Sequence, residues 1–314
     1  MNAFTAPYFH DESAARAAFE MIRWPNGPTC PRCGESERRY ATSRVGRYRC
    51  GNPACRKDFS ATTGTVMERS HIPLHKWMMG FYLMGASKKG VSAHQLHRML
   101  GIKYQSAWFM AHRIREAMRD GGLLPPLGGN GGIVEADETY FGPVEEARPR
   151  NKYLPPPTKG GRSGPANKRA IVSLVERGGS VRSFHVAVAD RESVAKIVTE
   201  NVDREATLHT DESRLYTKVG AEFAAHETVK HSAGEYVRGI IHTNTVEGVF
   251  SIFKRGMRGI YQHCREKHLH RYLAEYDFRY NHRVKLGFDD HARMTAMVRG
   301  VVGKRLTYQQ PHSA

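Results

Sequence analysis

Residues 133–141 read IVEADETYF, a run of β-branched and aromatic residues with acids set into it. Such a run predicts a strand, and a charge inside it is costly unless it meets a metal or a partner. Asp137 is the charge at the centre. Glu135, two residues earlier, shares its face of the strand and rivals it for the same role. Glu138 and Glu212 are expected to point elsewhere.

Outward from this strand the pattern repeats. RAIVSLVER (169–177) and VRSFHVAVA (181–189), separated by Gly178-Gly179, predict two more strands and hence a three-stranded meander. RESVAKIVTENV (191–202) predicts a helix, and TLHTD (207–211) a further strand that ends on Asp211. Helices are expected from about 245 onward. In TNTVEGVFSIFKRGM (243–257) the residues Val246, Val249, Phe250 and Phe253 recur at helical spacing and should pack inward. Glu247 and Lys254, seven residues apart, then lie two turns apart on nearly the same face. RYLAEYDFRYN, downstream, reads as helix core.

Asp137, Asp211 and Glu247 each sit where a strand or helix can aim them into one site. Three converging carboxylates repel one another, and bound divalent cations are the natural resolution. Hard oxygen ligands select Mg2+ or Mn2+. Two such ions about 3.5–4 Å apart can activate a water or a 3′ hydroxyl and stabilise the leaving oxygen of a phosphodiester. Lys254 would hold DNA phosphate beside them. His209 and His242 flank this site and read as neutral structural groups.

Upstream, a glycine-rich stretch from Gly121 to Gly132 breaks the pattern and marks a domain boundary. Before it, LHKWMMGFYLMG (74–85) and residues 91–119, punctuated at Gly101, predict three helices. The last two are compatible with helix-turn-helix, whose second helix would present Lys103, Gln105, Ser106, His112 and Arg113 outward. DESAARAAFEMIR (11–23) predicts one more short helix, stopped at Trp24-Pro25.

Between these helices lie four of the five cysteines. Cys30-x2-Cys33 and Cys50-x4-Cys55 form two knuckles with Pro31, Gly34, Gly51 and Pro53 as turn residues, a pattern suited to four thiolates around a structural Zn2+. Asp58 is a harder and poorer ligand. Cys264 reads as an ordinary free thiol. The ribbon would hold Arg32, Arg38, Arg39, Arg44, Arg47, Arg49, Arg56 and Lys57 on one small rigid module for DNA contacts.

The composition agrees. Lys and Arg number 48 against 31 Asp and Glu, a formal charge of +17 over 314 residues, which favours a polyanionic partner. With 40% apolar residues and a mean hydropathy of −0.56, neither wholesale disorder nor a multi-span membrane protein fits. The first twenty residues lack the apolar core of a secretory signal, so a cytoplasmic protein is expected, nucleoid-associated when bound to DNA. Residues 143–169, with six prolines and seven Lys or Arg against two Glu, read as a solvated loop or as a contact for nucleic-acid phosphates. Residues 254–271 carry six Lys or Arg, among them Lys254, Arg255 and Arg258, and offer a basic track for DNA.

These motifs together resemble a known family. CPRC and CGNPAC, FSATTGTVMERSHIPLHKW, KKGVSAHQLHRMLGIKYQSAWFMAHRIREAM, VEADETYFG, LHTDES, HTNTVEGVFSIFKRGMRGIYQH and KHLHRYLAEYDFRYNHR are similar to the DDE transposases of bacterial insertion sequences, of the ISXO-like group with an N-terminal zinc ribbon. The resemblance covers roughly residues 15–285. It implies a ribonuclease H-like catalytic core with a mixed β-sheet and flanking helices. Asp137 matches the first family acid, Asp211 the second, and Glu247 with Lys254 the third acid and its basic follower. Some members carry Asn where others carry Glu, which makes Asn244 an alternative third ligand; Glu247 neutralises Mg2+ better and has the right spacing to Lys254.

The implied organisation is an N-terminal helix (1–27), zinc ribbon (28–64), helix-turn-helix (70–120), catalytic domain (130–290) and C-terminal tail (291–314), a multidomain α/β chain. The implied partners are the terminal inverted repeats of the element and target DNA, with a homodimer or higher synaptic assembly to pair two ends and no membrane. The implied activity is two-metal DNA cleavage and strand transfer. Its rivals are a zinc-ribbon regulator without catalysis and a nuclease of the same core that cuts without joining.

Overall fold

The computed structural model describes residues 3–120, 124–145 and 167–306. They fall into two compact units, one of residues 3–120 with 282–306, the other of residues 124–145 with 167–281.

In the first unit, α1 (Glu12–Arg23) starts where the Asp11 side chain accepts the Ala14 amide at 2.7 Å, satisfying one of the orphan donors of a helix start. A three-stranded antiparallel sheet follows: β1 (Arg39–Ala41), β2 (Arg47–Cys50) and β3 (Asp58–Ser60). Trp24, Tyr48 and Phe59 close its inner side with ring centroids 5.7–5.9 Å apart. Next come α2 (Leu74–Ala86), α3 (Ala93–Leu100) and α4 (Tyr104–Met118). Gly101, at φ +58°, turns the chain between α3 and α4 in the left-handed region that favours glycine.

The stretch expected as a tail from 291 carries a helix instead, Asp290–Arg299. Asp289 caps it through the Ala292 amide, and Met294, Met297 and Val298 are buried. A Cβ on Gly85 of α2 would come within 2.6 Å of the Met297 methyl, so glycine there permits the two helices to approach closely. Three apolar residues in one short segment suffice to dock it, which composition alone understates.

The second unit is built on five strands: β4 (Ile133–Pro143), β5 (Lys168–Glu176), β6 (Val181–Val186), β7 (Thr207–Asp211) and β8 (Ala225–Val229). Their order is β6-β5-β4-β7-β8, with β4–β5 and β5–β6 antiparallel and β4–β7 and β7–β8 parallel. The meander and the later strand thus pair through β4, the strand read first. β8 was not expected. Its sequence, AHETV, is polar and mostly half-buried at the sheet edge, so it lacks the apolar signal of a central strand.

Side chains alternate strictly between the two faces. One face, with Val134, Ala136, Val172, Leu174 and Leu208, packs against α5 (Arg191–Asn201) and α6 (Thr217–Gly220). A two-stranded hairpin, β9 (Val237–Arg238) with β10 (Ile241–His242), leads into α7 (Asn244–Gly256), and α8 (Leu269–Asn281) follows. The opposite face, with Ile171 and Val175, packs against Val246, Val249, Phe250 and Phe253 of α7 and Leu273 and Tyr276 of α8. Burying that stripe draws α7 onto the sheet and fixes which way its remaining face looks. No helix among the described residues is long and apolar enough to cross a membrane.

Candidate active site

The cysteines of both knuckles meet. The ligand atoms of Cys30, Cys33, Cys50 and Cys55 lie within 4.8 Å of one another, with Cys30 to Cys55 at 3.9 Å and Cys33 to Cys50 at 3.5 Å. Four thiolates about 2.3 Å from a central zinc would stand about 3.8 Å apart. The donor set and its spacing therefore fit a closed tetrahedral zinc site. Asp58 takes no part, since its carboxylate pairs with Arg49 at 2.8 Å. Seven of the eight basic ribbon residues are exposed and Arg39 is half-buried.

The carboxylates gather on one sheet face. Glu135 and Asp137 of β4, and His209 and Asp211 of β7, all point toward α7, because each pair is two residues apart and Glu135 stands opposite His209 in the parallel register. Asp137 accepts the Glu138 amide at 2.7 Å, and Asp211 accepts the Ser213 amide at 3.0 Å. Burial pushes the Asp137 carboxyl well above its ordinary value, and the negative charges of Asp211, Glu138 and Glu247 push it further, against the pull of the Glu138 amide. Neither Asp137 nor Asp211 has an ion-pair partner among the described residues. Among the described residues the four cysteines form a cluster tight enough to hold an ion as they stand, and Asp137, Asp211 and Glu247 do not. Hard oxygen donors of this kind are the type that divalent metals take.

Glu247 lies in the first turn of α7, where Thr243 donates its hydroxyl to the carboxylate at 3.2 Å. Asn244 is exposed at the first position of that helix. Lys254 is half-buried two turns on. Burial lowers its ammonium below the ordinary value, Arg258 and Lys168 add to this, and Asp137 opposes it. Lys254 is thus within the field of both the acid and two further cations. Arg255 and Arg258 are exposed.

Glu135, the rival of Asp137, is wholly consumed by protein contacts. Fully buried, it accepts Arg177 at 2.7 and 3.0 Å, the Thr245 and Val246 amides at 2.8 and 3.1 Å and the Thr245 hydroxyl at 2.7 Å. Glu138 faces the other side of the sheet and accepts the Tyr216 hydroxyl at 3.0 Å. Glu212 binds Ser232. Burial and the Arg177 charge lower His209 below its ordinary value and keep it neutral.

Comparison with known proteins agrees with this picture. Residues 129–281 match the ISXO2-like transposase domain and residues 10–58 the transposase zinc-ribbon domain. An uncharacterized protein in transposable element ISH50 of Halobacterium salinarum is 32% identical over 256 residues, covering 79% of this chain and 83% of that protein. The chain belongs to the ISXO2-like insertion-sequence transposase family.

The transposase places the residues expected to read DNA unevenly. Lys103 and Gln105 are exposed at the start of α4, and Ser106 is half-buried. His112 is a correction: it is 1% exposed, because the helical period turns it inward with Ala111 and Arg115. Arg113 also does not stand outward, since its guanidinium lies over the Phe109 ring and donates to the Glu68 carbonyl. Most of the basic insert, residues 146–166, lies outside the described residues.

Three neighbours of the site escaped the sequence reading. His231 lies 3.8 Å from Glu247, in a segment after the unexpected β8 that carried no signal. Lys168 was counted with the insert, though it begins β5. Arg177 closed the predicted strand 169–177 and was given no role. The need of a buried Glu135 for a counter-charge could have pointed to it.

Proposed function

We propose that this transposase binds the ends of its element and catalyses DNA cleavage and strand transfer, with Asp137, Asp211 and Glu247 holding two Mg2+ or Mn2+ ions. The observation that carries this reading is the convergence of carboxylates from β4, β7 and α7 on one sheet face, with Asp137 pushed up by burial and further by its acidic neighbours. A sheet of order β6-β5-β4-β7-β8, antiparallel on one side and parallel on the other, supports a ribonuclease H-like core. When bound, two divalent ions supply activation of the attacking water or 3′ hydroxyl and stabilise the leaving oxygen.

The chain's own residues do the rest. Asp137 and Asp211 present oxygens from rigid strands, and Glu247 brings a third from the helix packed on them. Lys254 holds a phosphate beside them, and Arg255 and Arg258 continue the positive track. The ribbon and the α3–α4 pair, read as helix-turn-helix, contact the terminal inverted repeats through Lys103, Gln105 and the exposed ribbon arginines. Pairing two ends calls for a homodimer or a larger synaptic assembly.

The test incubates the protein with labelled end DNA in Mg2+ or Ca2+, and separately with pre-cut ends and target DNA. Wild-type protein should nick and join in Mg2+. Asp211→Asn should bind ends normally and lose more than about a hundredfold in rate, the loss of several kcal/mol of charge stabilisation. Unimpaired strand transfer by Asp211→Asn would overturn the reading, and cutting without joining would reduce it to a nuclease.

A further inference from the structure

Beneath the three proposed metal ligands lies a second tier. The residue two positions before each ligand is Glu135 on β4, His209 on β7 and Thr245 on α7; Glu135 and His209 meet at Arg177, and Thr245 joins them through Glu135. Arg177 donates from Nε and Nη2 to Glu135 Oε1 at 3.0 and 2.7 Å, and from Nη2 to His209 Nδ1 at 3.3 Å. Its Nη1 reaches the Ile240 carbonyl at 2.6 Å and its Nη2 the His242 carbonyl at 3.2 Å, tying down the hairpin that leads into α7.

Glu135 completes the link to the helix. Thr243, the residue before α7, makes no capping hydrogen bond with its own side chain. The first-turn amides of Thr245 and Val246 are instead accepted by Glu135 Oε2, and the Thr245 hydroxyl by Oε1. A helix start needs such acceptors and favours negative charge. Here the acceptor comes from the strand that carries Asp137. The first turn of α7, which carries Glu247, is therefore bolted to β4 by a fully buried carboxylate that is paired with Arg177.

We propose that Glu135 and Arg177 are positioning residues that set the separation of Asp137, Asp211 and Glu247, and so the affinity of the site for divalent cations. The proposal rests on the metal-binding role given to those three acids. Core packing alone would hold α7 against the sheet, but an apolar stripe tolerates sliding and rotation that a charge-assisted bond to two amides does not. A ligand set of fixed geometry binds its ion more tightly than a loose one, and losing an outer partner of a metal ligand commonly costs 10–100-fold in affinity, roughly.

The experiment titrates Mn2+ into full-length protein without DNA, read by electron paramagnetic resonance, with Asp211→Asn as the reference for non-specific binding. Glu135→Gln, Arg177→Met and Arg177→Lys are compared with wild type, and Thr245→Val serves as a milder variant that removes a single hydroxyl bond. The expected result is Mn2+ affinity weakened about tenfold or more in Glu135→Gln and Arg177→Met, with partial recovery in Arg177→Lys and a smaller loss in Thr245→Val. The Mg2+ concentration for half-maximal cleavage should shift by the same factor, while zinc content and end-DNA affinity stay unchanged. Mn2+ affinity within twofold of wild type in any folded Glu135→Gln or Arg177→Met protein would overturn the proposal. Should both fail to fold, an unchanged Thr245→Val overturns it equally. Wild-type protein that binds no more Mn2+ than Asp211→Asn would instead remove the metal-binding reading of the acids, and this inference with it.

Discussion

The cysteine tetrad and the proposed carboxylate site are assembled in opposite ways. All four thiols come from residues 30–55, on two knuckles of one small sheet, and their sulfurs already stand at ligand spacing. The acids come from positions 137, 211 and 247, on two strands and a helix, and they repel one another. A local cluster needs only turns at its knuckles. A dispersed one needs a sheet register to align two of its members and an anchored helix to deliver the third. The ribbon is thus a site assembled within one short segment, whereas the acid site is one that only the whole sheet-and-helix fold brings together.

The largest effect expected from this contrast is on the ribbon. Removing zinc with a chelator should take away about 10–16 kcal/mol of binding free energy that is also folding free energy. The four thiols should become reactive to a thiol reagent while Mn2+ binding at the acid site is retained. A chelated ribbon whose thiols remain protected would break the comparison.

A cavity behind α7 probes the other side. Phe253 is 2% exposed and meets Phe141 and Tyr276 edge-on with centroids 5.3 Å away. Phe253→Ala should cost about 3–5 kcal/mol of stability in a denaturant titration that follows the sheet-bearing unit. Cleavage should fall and zinc content should not change. A loss below about 1 kcal/mol would mean that the stripe does not hold the helix.

The smallest effect sharpens the point about borrowed caps. α2 also starts without a cap of its own, and Glu12 accepts the Leu74 and His75 amides at 2.9 and 3.2 Å. Burial would raise the Glu12 carboxyl, but these amides and the His75 ring outweigh it and leave it below its ordinary value of 4.5. Its stabilisation is therefore present above that value and is lost as pH falls through the lowered folded value. With 44% of its side chain exposed, solvent screens the pair, and Glu12→Gln should cost only about 0.5 kcal/mol at neutral pH. The difference from wild type should vanish in acid, as thermal melts across pH 3–7, roughly, would show. Glu135 makes the same kind of bond at zero exposure with an arginine beside it, and its removal should be felt far more.

Much of the architecture was legible. Strand-like runs located β4 to β7, and period-3.6 runs located α1 to α5, α7 and α8, including the four apolar residues that seat α7, while the one-turn α6 carried no such signal. Both signals survive because each element buries a single face. β8 escaped because AHETV is an edge strand and half-wet, and the C-terminal helix because its signal is short. Paired Cys spacing disclosed the ribbon, since turns and ligands are neighbours in the chain. His112 misled because a residue type favoured at DNA surfaces also packs well inside a helical bundle.

The order of residues by itself determined the cysteine knuckles, the strand–helix alternation and the acidic positions worth examining, because each of these follows from spacing within a few residues. The tertiary structure set apart Glu135 and Asp137, two acids on the same strand face with nothing local to tell them apart, by the partners it gives each of them. Glu135 meets the start of α7 and Arg177, and is spent. Asp137, one step further along, has no ion-pair partner among the described residues and accepts only the Glu138 amide, with Asp211, Glu138 and Glu247 as its acidic neighbours. That distinction depends on a helix more than a hundred residues away in sequence, and contacts of that range leave no trace in local pattern.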